Sequence, residues 1–317
     1  MVAGCDLTAI YFEYIIAFNS HCLMRYQHEW ALPLIRENTL KITVLVENQA
    51  SQGGMAAEKG LSLWIEDEES TVLFDTGKHD AFLTNAQRLG IDLRKLTHVV
   101  LSHGHYDHAG GLKALCDHLQ AIDPQRRPLL VAHPDAFSRR GLYLNLFGKA
   151  LRIRNLGAAI DKAHAEQAFR CALHCEPFWL HENLVFLGQI RRSETLGRAR
   201  TFGAIVREDR LTKDLIVDDS ALVYRTEKGL VILVGCSHSG ICNIVEYART
   251  VTGTQRVHAV IGGFHLRSAS RRAIGEVAGF FSAAAIPIVH GCHCTGRATL
   301  RLPGQVDIET GSVIEIG

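Results

Sequence analysis

Again and again along this chain, a short β-branched or aliphatic run stops in a turn that carries aspartate or histidine, and this restricts the fold more than any other feature. Thr71-Val-Leu-Phe74 stops at Asp75-Thr-Gly77, and Thr97-His-Val-Val-Leu101 runs into Ser102-His-Gly-His-Tyr-Asp-His-Ala-Gly-Gly111. Gly229–Val234 leads to Gly235-Cys-Ser-His-Ser-Gly240, Val257–Ile261 to Gly262-Gly-Phe-His-Leu266, and Ile286–Val289 to His290-Gly-Cys-His-Cys-Thr-Gly296. Apolar runs of this length bounded by glycine read as sheet strands. Loops at strand ends, held by a rigid sheet, are where function concentrates.

Further strands are expected at Lys41–Val46, Leu61–Ile65, Pro128–Ala132, Asn183–Leu187, Ala221–Tyr224 and Ser312–Ile316, with helices over 79–89, 112–119, 244–251 and 271–284. Strands crowd the first third and alternate with helices afterwards, which favours two sheets sandwiched between helices over a simple parallel sheet. Residues 134–175 carry little β signal and are expected to form helices and loops, within an insertion over about 134–200. Residues 1–39 read differently from the rest. Ile10, Tyr11, Tyr14, Ile15 and Phe18 recur at roughly helical spacing before a polar stretch, so an N-terminal helical or weakly ordered extension precedes a domain over 40–317.

His103-x-His105-x-Asp107-His108 is the densest of the strand-end turns. In an extended loop alternate residues face the same way, so His103, His105 and Asp107 can converge on one cavity, and His108 at the turn into a helix can be redirected towards it. Three imidazoles and a carboxylate suit zinc, iron or manganese better than calcium or magnesium. Six residues can hardly wrap all four donors around one ion, so two adjacent ions are the more natural arrangement. Gly104 relieves crowding in the loop, while Gly110 and Gly111 let the helix start press against the sheet.

These motifs together resemble the metallo-β-lactamase superfamily, whose fold is an αββα four-layer sandwich with a dinuclear metal site. Gly60–Ile65, Leu101–Leu112, Gly235–Gly240, Gly262–Leu266 and His293–Gly296 resemble, within it, the branch that includes the dihydropterin-linked ribofuranosylaminobenzene phosphate synthase, over residues 40–317. The resemblance implies that His103 and His105 serve one metal and Asp107 and His108 the other, with His238 and His293 as the later ligands. The superfamily also expects Gly-Asp at a strand end where this chain has Gly235-Cys236. Either Cys236 replaces that carboxylate or His238 supplies the ligand. His265 could substitute for a ligand or contact substrate, and Asp218 and Asp219 are weaker candidates. Asp75 need not touch metal, because a carboxylate there can accept the free N–H of a ligand histidine. Ser102 is a poor nucleophile beside an imidazole claimed by metal. His290, Cys292, His293 and Cys294 are too close in sequence to close a separate structural zinc site.

A metal-dependent hydrolase follows from this expectation, or a related lyase or transferase. Two divalent cations, zinc first and iron or manganese next, would activate a water, and Asp107 would relay the proton to the leaving group. The substrate would be a small molecule, the resemblance implying a phosphorylated aromatic or pterin-like one, and Arg139, Arg140, Arg152, Arg154, Arg191 and Arg192 either grip its anionic group or form a solvated face. The alternatives are a diiron-type oxidoreductase, disfavoured by His at position 105 and the lack of a flavodoxin-like segment, and a non-catalytic metal or ligand sensor. An RNA-processing nuclease on the same scaffold is a further possibility. With 34 Lys+Arg against 33 Asp+Glu the chain has no bulk basic field, which disfavours nucleic acid. No run of ~18 apolar residues would cross a membrane. The nine cysteines are scattered and odd in number, against a disulfide framework, and with no secretory signal the protein is expected in the cytoplasm.

Overall fold

Alternation along the strands decides which side chain faces which layer. In the strand Thr71–Phe74 (β3), Val72 and Phe74 belong to one apolar cluster and Leu73 to another. In Gly229–Val234 (β14), Val231 and Leu233 join the first cluster, whereas Leu230, Ile232 and Val234 point into a third. A strand covered on both faces shows an unbroken apolar run, which is how both segments read. The computed structural model describes residues 39–317, apart from residue 52 and the segments 147–148, 194–195, 197–200, 208–209 and 297–301. The extension expected over residues 1–39 therefore lies outside the described residues, except for its last position.

The first sheet has the order β17 (Val313–Ile316), β1 (Leu40–Val46), β2 (Ser62–Glu66), β3, β4 (His98–Val100), β5 (Leu129–Ala132) and β8 (Arg170–Leu173). β3, β4, β5 and β8 run parallel. The second sheet has the order β16 (Ile288–Gly291), β15 (Val257–Gly262), β14, β13 (Ala221–Thr226), β10 (Leu184–Phe186) and β9 (Phe178–His181), with β14, β15 and β16 parallel. The inner faces of the two sheets share one core, in which Phe74, Val100 and Val131 meet Phe186, Leu222, Leu233 and Ile261. Each fully buried side chain of this size contributes about 1.5–3 kcal/mol relative to exposure.

Helices cover the outer faces. Phe82 and Ala86 of α1 (Ala81–Arg88), Leu112 and Leu115 of α3 (Leu112–Ile122) and Ala165 of α4 (Lys162–Ala168) pack on the first sheet. Ile244 and Val245 of α5 (Ile241–Thr252) and Ile274 and Phe281 of α6 (Arg271–Ala283) pack on the second. The architecture is the expected αββα sandwich. A one-turn helix, α2 (Tyr106–Ala109), lies between β4 and α3.

One expectation fails. Residues 134–175, expected as helices and loops, contain the hairpin β6 (Arg140–Leu146) and β7 (Lys149–Asn155), which joins β11 (Ala204–Arg207) and β12 (Arg210–Lys213) in a third, four-stranded sheet. Leu144 pairs with Leu151 across the hairpin, yet both are more than half exposed, as is Ile153. Strand pairing rather than burial defines this hairpin, although Leu144 and Leu146 flank Asn145, and Leu151 and Ile153 alternate with Arg152 and Arg154, a period-two pattern that the expectation of helices and loops passes over.

Candidate metal centre

The parallel strands of both sheets end at one edge, and the polar turns follow there. Asp75 comes directly after β3, His103 three residues after β4, Cys236 two residues after β14, and His293 two residues after β16. Asp75, Ser237, His265 and His293 adopt positive φ of 60°, 56°, 53° and 52° and make up four of the six such non-glycine residues among those described. Backbone held in this sparsely populated region clusters at functional sites, where the surroundings over-determine it.

Asp75 organises the centre from beneath, fully buried. Its Oδ1 accepts from the Ser102 amide and its Oδ2 from the Ser102 hydroxyl, both at 2.7 Å, and Nδ1 of His108 donates to Oδ2 at 2.7 Å. Because the Ser102 hydroxyl proton is committed to Asp75, its oxygen can only accept from Nδ1 of His103, 2.9 Å away. Nδ1 of His293 likewise donates to Oδ1 of Asn48 at 3.2 Å, and its backbone N–H to Glu47. In all three rings an Nδ1 proton is spent on the scaffold, which turns Nε2 towards the other donors: His105 for His103, Cys236 for His108 and Asp107 for His293.

The imidazoles converge. Nε2 of His103 lies 3.0 Å from Nδ1 of His105, and the His238 ring centroid is 4.9 Å from each of these two rings. His103, His105 and His238 offer donor atoms within 4.8 Å of one another, and so do Asp107, His108 and His293. Cys236 stands between the groups, its Sγ 3.2 Å from Nε2 of His108 and grouped with His103 as well. Oδ2 of Asp107 is 3.8 Å from Nε2 of His293 and 3.7 Å from Nζ of Lys59.

The electrostatics suit a cation. Burial, reinforced by the neighbouring imidazoles, pushes His103 and His238 well below the usual imidazole range, and burial against mixed neighbouring charges brings His105 down to about 3 and His293 to about 4. These rings stand neutral at neutral pH, the form that ligates. Burial opposes charge on His108 too, but Asp75 and Asp107 push it up to about 8. Burial would raise Asp107, yet His108, His293 and His105 hold its carboxyl below the usual range. Nε2 of His105 and both ring nitrogens of His238 are buried without a hydrogen-bond partner, each costing about 1–3 kcal/mol if left so. Orphaned imidazole nitrogens aimed into a pocket fit a metal, and the N/O/S donor set fits a borderline transition ion.

Residues that the sequence reading ranked low turn out to shape the loops. Asp218 and Asp219 are fully buried rather than solvated. Oδ2 of Asp218 accepts from the Gly104 amide at 2.8 Å and from Nη2 of Arg140 at 2.9 Å, and Asp219 accepts from the Ser239 amide at 2.7 Å. Neither belongs to a donor group with the histidines. Of the arginines, Arg140 is buried, Arg192 is tied to the carbonyls of Leu215 and Ile216, and Arg154 alone among the six lines the cavity. His290 directs Nδ1 to the Val306 carbonyl, away from His293. Lys59, Tyr106 and Arg267, which the sequence does not mark, and Cys294, considered only within a separate zinc site, line a cavity of about 430 Å³ with Asp107, His238, His265 and His293. Lysine and arginine scattered through a chain carry no sequence signal that would separate them from a solvated face.

The metallo-β-lactamase superfamily profile matches residues 57–251. The 7,8-dihydropterin-6-methyl-4-(β-D-ribofuranosyl)-aminobenzene-5'-phosphate synthase of Methanocaldococcus jannaschii is 29% identical over 268 residues, covering 82% of this chain and 88% of that one. An uncharacterized protein of the same organism is 30% identical, over 84% of this chain and 94% of its own. Among solved structures, Tm1679, a metal-dependent hydrolase of the β-lactamase superfamily, superposes with a TM-score of 0.71 at 31% identity, covering 87% of this chain and 99% of that one. YhfI from Bacillus subtilis, at 12% identity and a TM-score of 0.52 over 88% of this chain and all of its own, shares the fold. Matched over more than half its length, and with its turns gathered at one sheet edge as described, the chain belongs to the metallo-β-lactamase superfamily.

Proposed function

We propose that the protein is a metal-dependent hydrolase of small anionic molecules, with His103, His105 and His238 holding one divalent cation and Asp107, His108 and His293 a second, zinc being the first candidate. The observation that carries this reading is the pairing of two donor groups, each within 4.8 Å, at the wall of a cavity of about 430 Å³. When bound, such a pair supplies Lewis acidity and ionises water at neutral pH, lowering its pKa from ~15.7 towards ~7.

The chain's own residues do the rest. Asp107, kept ionised by the surrounding imidazoles, accepts a proton at its free carboxylate oxygen and passes it to the leaving group. Lys59, Arg154 and Arg267 surround the cavity with positive charge. Lys59 Nζ donates to the Tyr106 hydroxyl at 3.2 Å and Arg154 Nη2 donates to the same oxygen at 3.3 Å, so both cations are held at the rim. Fixed cations beside a water-activating centre suit a phosphate or carboxylate on the substrate. The relative named as a phosphate-bearing pterin synthase supports a phosphorylated aromatic or pterin-like compound as the class to try first.

Elemental analysis of protein purified without added metal, combined with turnover of phosphomonoester, phosphodiester and lactone substrates, tests the proposal. At least two equivalents of metal are expected, with the content falling in His103→Ala and Asp107→Ala together with hydrolysis. Folded, active protein without metal would end it.

A further inference from the structure

The six proposed ligands leave one group of donors unused. Cys236, His265 and Cys294 offer donor atoms that also lie within 4.8 Å of one another, and all three line the cavity. They arrive from three successive strand ends, after β14, β15 and β16. The two later turns are pinned together: Phe264 N–H donates to Thr295 Oγ1 at 2.8 Å, Arg267 N–H to the Cys294 carbonyl at 3.1 Å, and His265 N–H to Cys294 Sγ at 3.2 Å. Cys294 Sγ in turn lies 3.6 Å from the Cys236 carbonyl oxygen.

Two further observations show that the group is built. A Cβ at Gly263 would lie 2.7 Å from Cys294 Sγ and would collide with the Gly235 carbonyl, so glycine at this position admits the sulfur. His265 is held at φ 53°, and its Nδ1 is buried without a hydrogen-bond partner. A sheltered, unpartnered imidazole nitrogen beside two sulfurs calls for an explanation other than packing.

We propose that Cys236, His265 and Cys294 form a further cation position, beside the two His/Asp-containing triads and distinct from them in donor chemistry. The proposal rests on the reading of the neighbouring centre as a metal site, because Cys236 Sγ also faces His103 and His108. Two thiolates and one imidazole select zinc or another thiophilic ion over magnesium, calcium or manganese. Three protein donors would leave a fourth position for a substrate group, and all three residues line the cavity from which such a group would come. Loading converts the two thiols to thiolates and releases their protons to solvent, with no change of oxidation state. The N–H of His265 donating to Cys294 Sγ steadies the thiolate form from the second turn.

The test uses the full chain, reduced, loaded with zinc and freed of excess. The expected result is three zinc equivalents per chain in the wild type and two in both Cys294→Ser and His265→Ala. In the cobalt-loaded protein, thiolate-to-metal charge-transfer absorption should weaken in Cys294→Ser. Alkylation provides a readout without substitution: zinc should protect Cys294 from iodoacetamide and a chelator should restore its reaction, while exposed Cys175 reacts in both states. Two equivalents in the wild type and in both variants, with Cys294 alkylated equally with and without zinc, would overturn the proposal and leave the paired centre standing. A Cys236–Cys294 disulfide that persists in the zinc-exposed, reduced protein would overturn it too. Fewer than two equivalents in the wild type would remove the paired centre as well.

Discussion

Asp75 shows how one buried carboxylate can orient the rings of a candidate metal centre. By accepting from Nδ1 of His108 at 2.7 Å it turns Nε2 of that ring towards Cys236 Sγ. Through the Ser102 hydroxyl it orients His103, whose Nε2 is turned towards His105. In Asp75→Asn the side-chain oxygen can keep the Ser102 amide, which leaves an N–H₂ facing Nδ1 of His108 and drives that ring to the other tautomer. Cation affinity is expected to fall about 10- to 100-fold, as for other outer partners of metal-binding histidines. Competition with a chromophoric chelator measures this. Unchanged affinity would mean that His108 does not take its tautomer from Asp75. The Asp-Thr-Gly turn made this role readable in the sequence, because a carboxylate at that strand end has few other uses. The grouping of Cys294 with Cys236 and His265 was not readable, since these neighbours are 58 and 29 residues away along the chain.

At the scale of elements, the centre depends on the ends of β4 and β14 approaching each other closely. Gly235 follows β14 directly, and a Cβ there would collide with Ser102 Oγ, lie 2.6 Å from Ser102 Cβ and 3.0 Å from Asp75 Oδ2. Gly235→Ala is therefore expected to force the two turns apart, costing about 1–3 kcal/mol as core overpacking does. Urea denaturation would report the stability change and elemental analysis the accompanying loss of metal. A variant of wild-type stability and metal content would show that the turns tolerate separation. The strands that bear this junction were legible because both are buried on two faces, and β14 is also bounded by Gly229 and Gly235. The hairpin of β6 and β7 was passed over although Leu151 and Ile153 alternate with Arg152 and Arg154, because the burial that normally accompanies such alternation is absent here and strand pairing holds it.

Across the whole molecule, Arg140 couples the third sheet to the centre. It leaves β6 fully buried, with Nη2 2.9 Å from Oδ2 of Asp218 and Nη1 3.5 Å from Asp214, and the same Asp218 oxygen anchors the Gly104 amide between His103 and His105. The sheet that carries Arg154 to the cavity is thus keyed by charge to the loop that carries the first donors. Arg140→Ala would leave two buried carboxylates unpaired, at a cost of about 3–5 kcal/mol. Thermal or urea unfolding would detect it, and a loss below 1 kcal/mol would mean that the carboxylates find water instead. Among the described residues, no helix is long and apolar enough to cross a membrane.

By itself the sequence determined the layers and the first four candidate ligands. Burial on two faces leaves unbroken apolar runs, and His103, His105, Asp107 and His108 lie within one six-residue turn, where local backbone geometry brings them together. Only the tertiary structure decided which distant groups join them. His238, His293, Cys236 and Cys294 come near the first turn because parallel strands of two sheets end at one edge, and the depth of that packing admits Asp218 and Arg140 as buried, paired charges. Contacts of this kind depend on the register and approach of whole sheets, quantities that no stretch of neighbouring residues encodes alone.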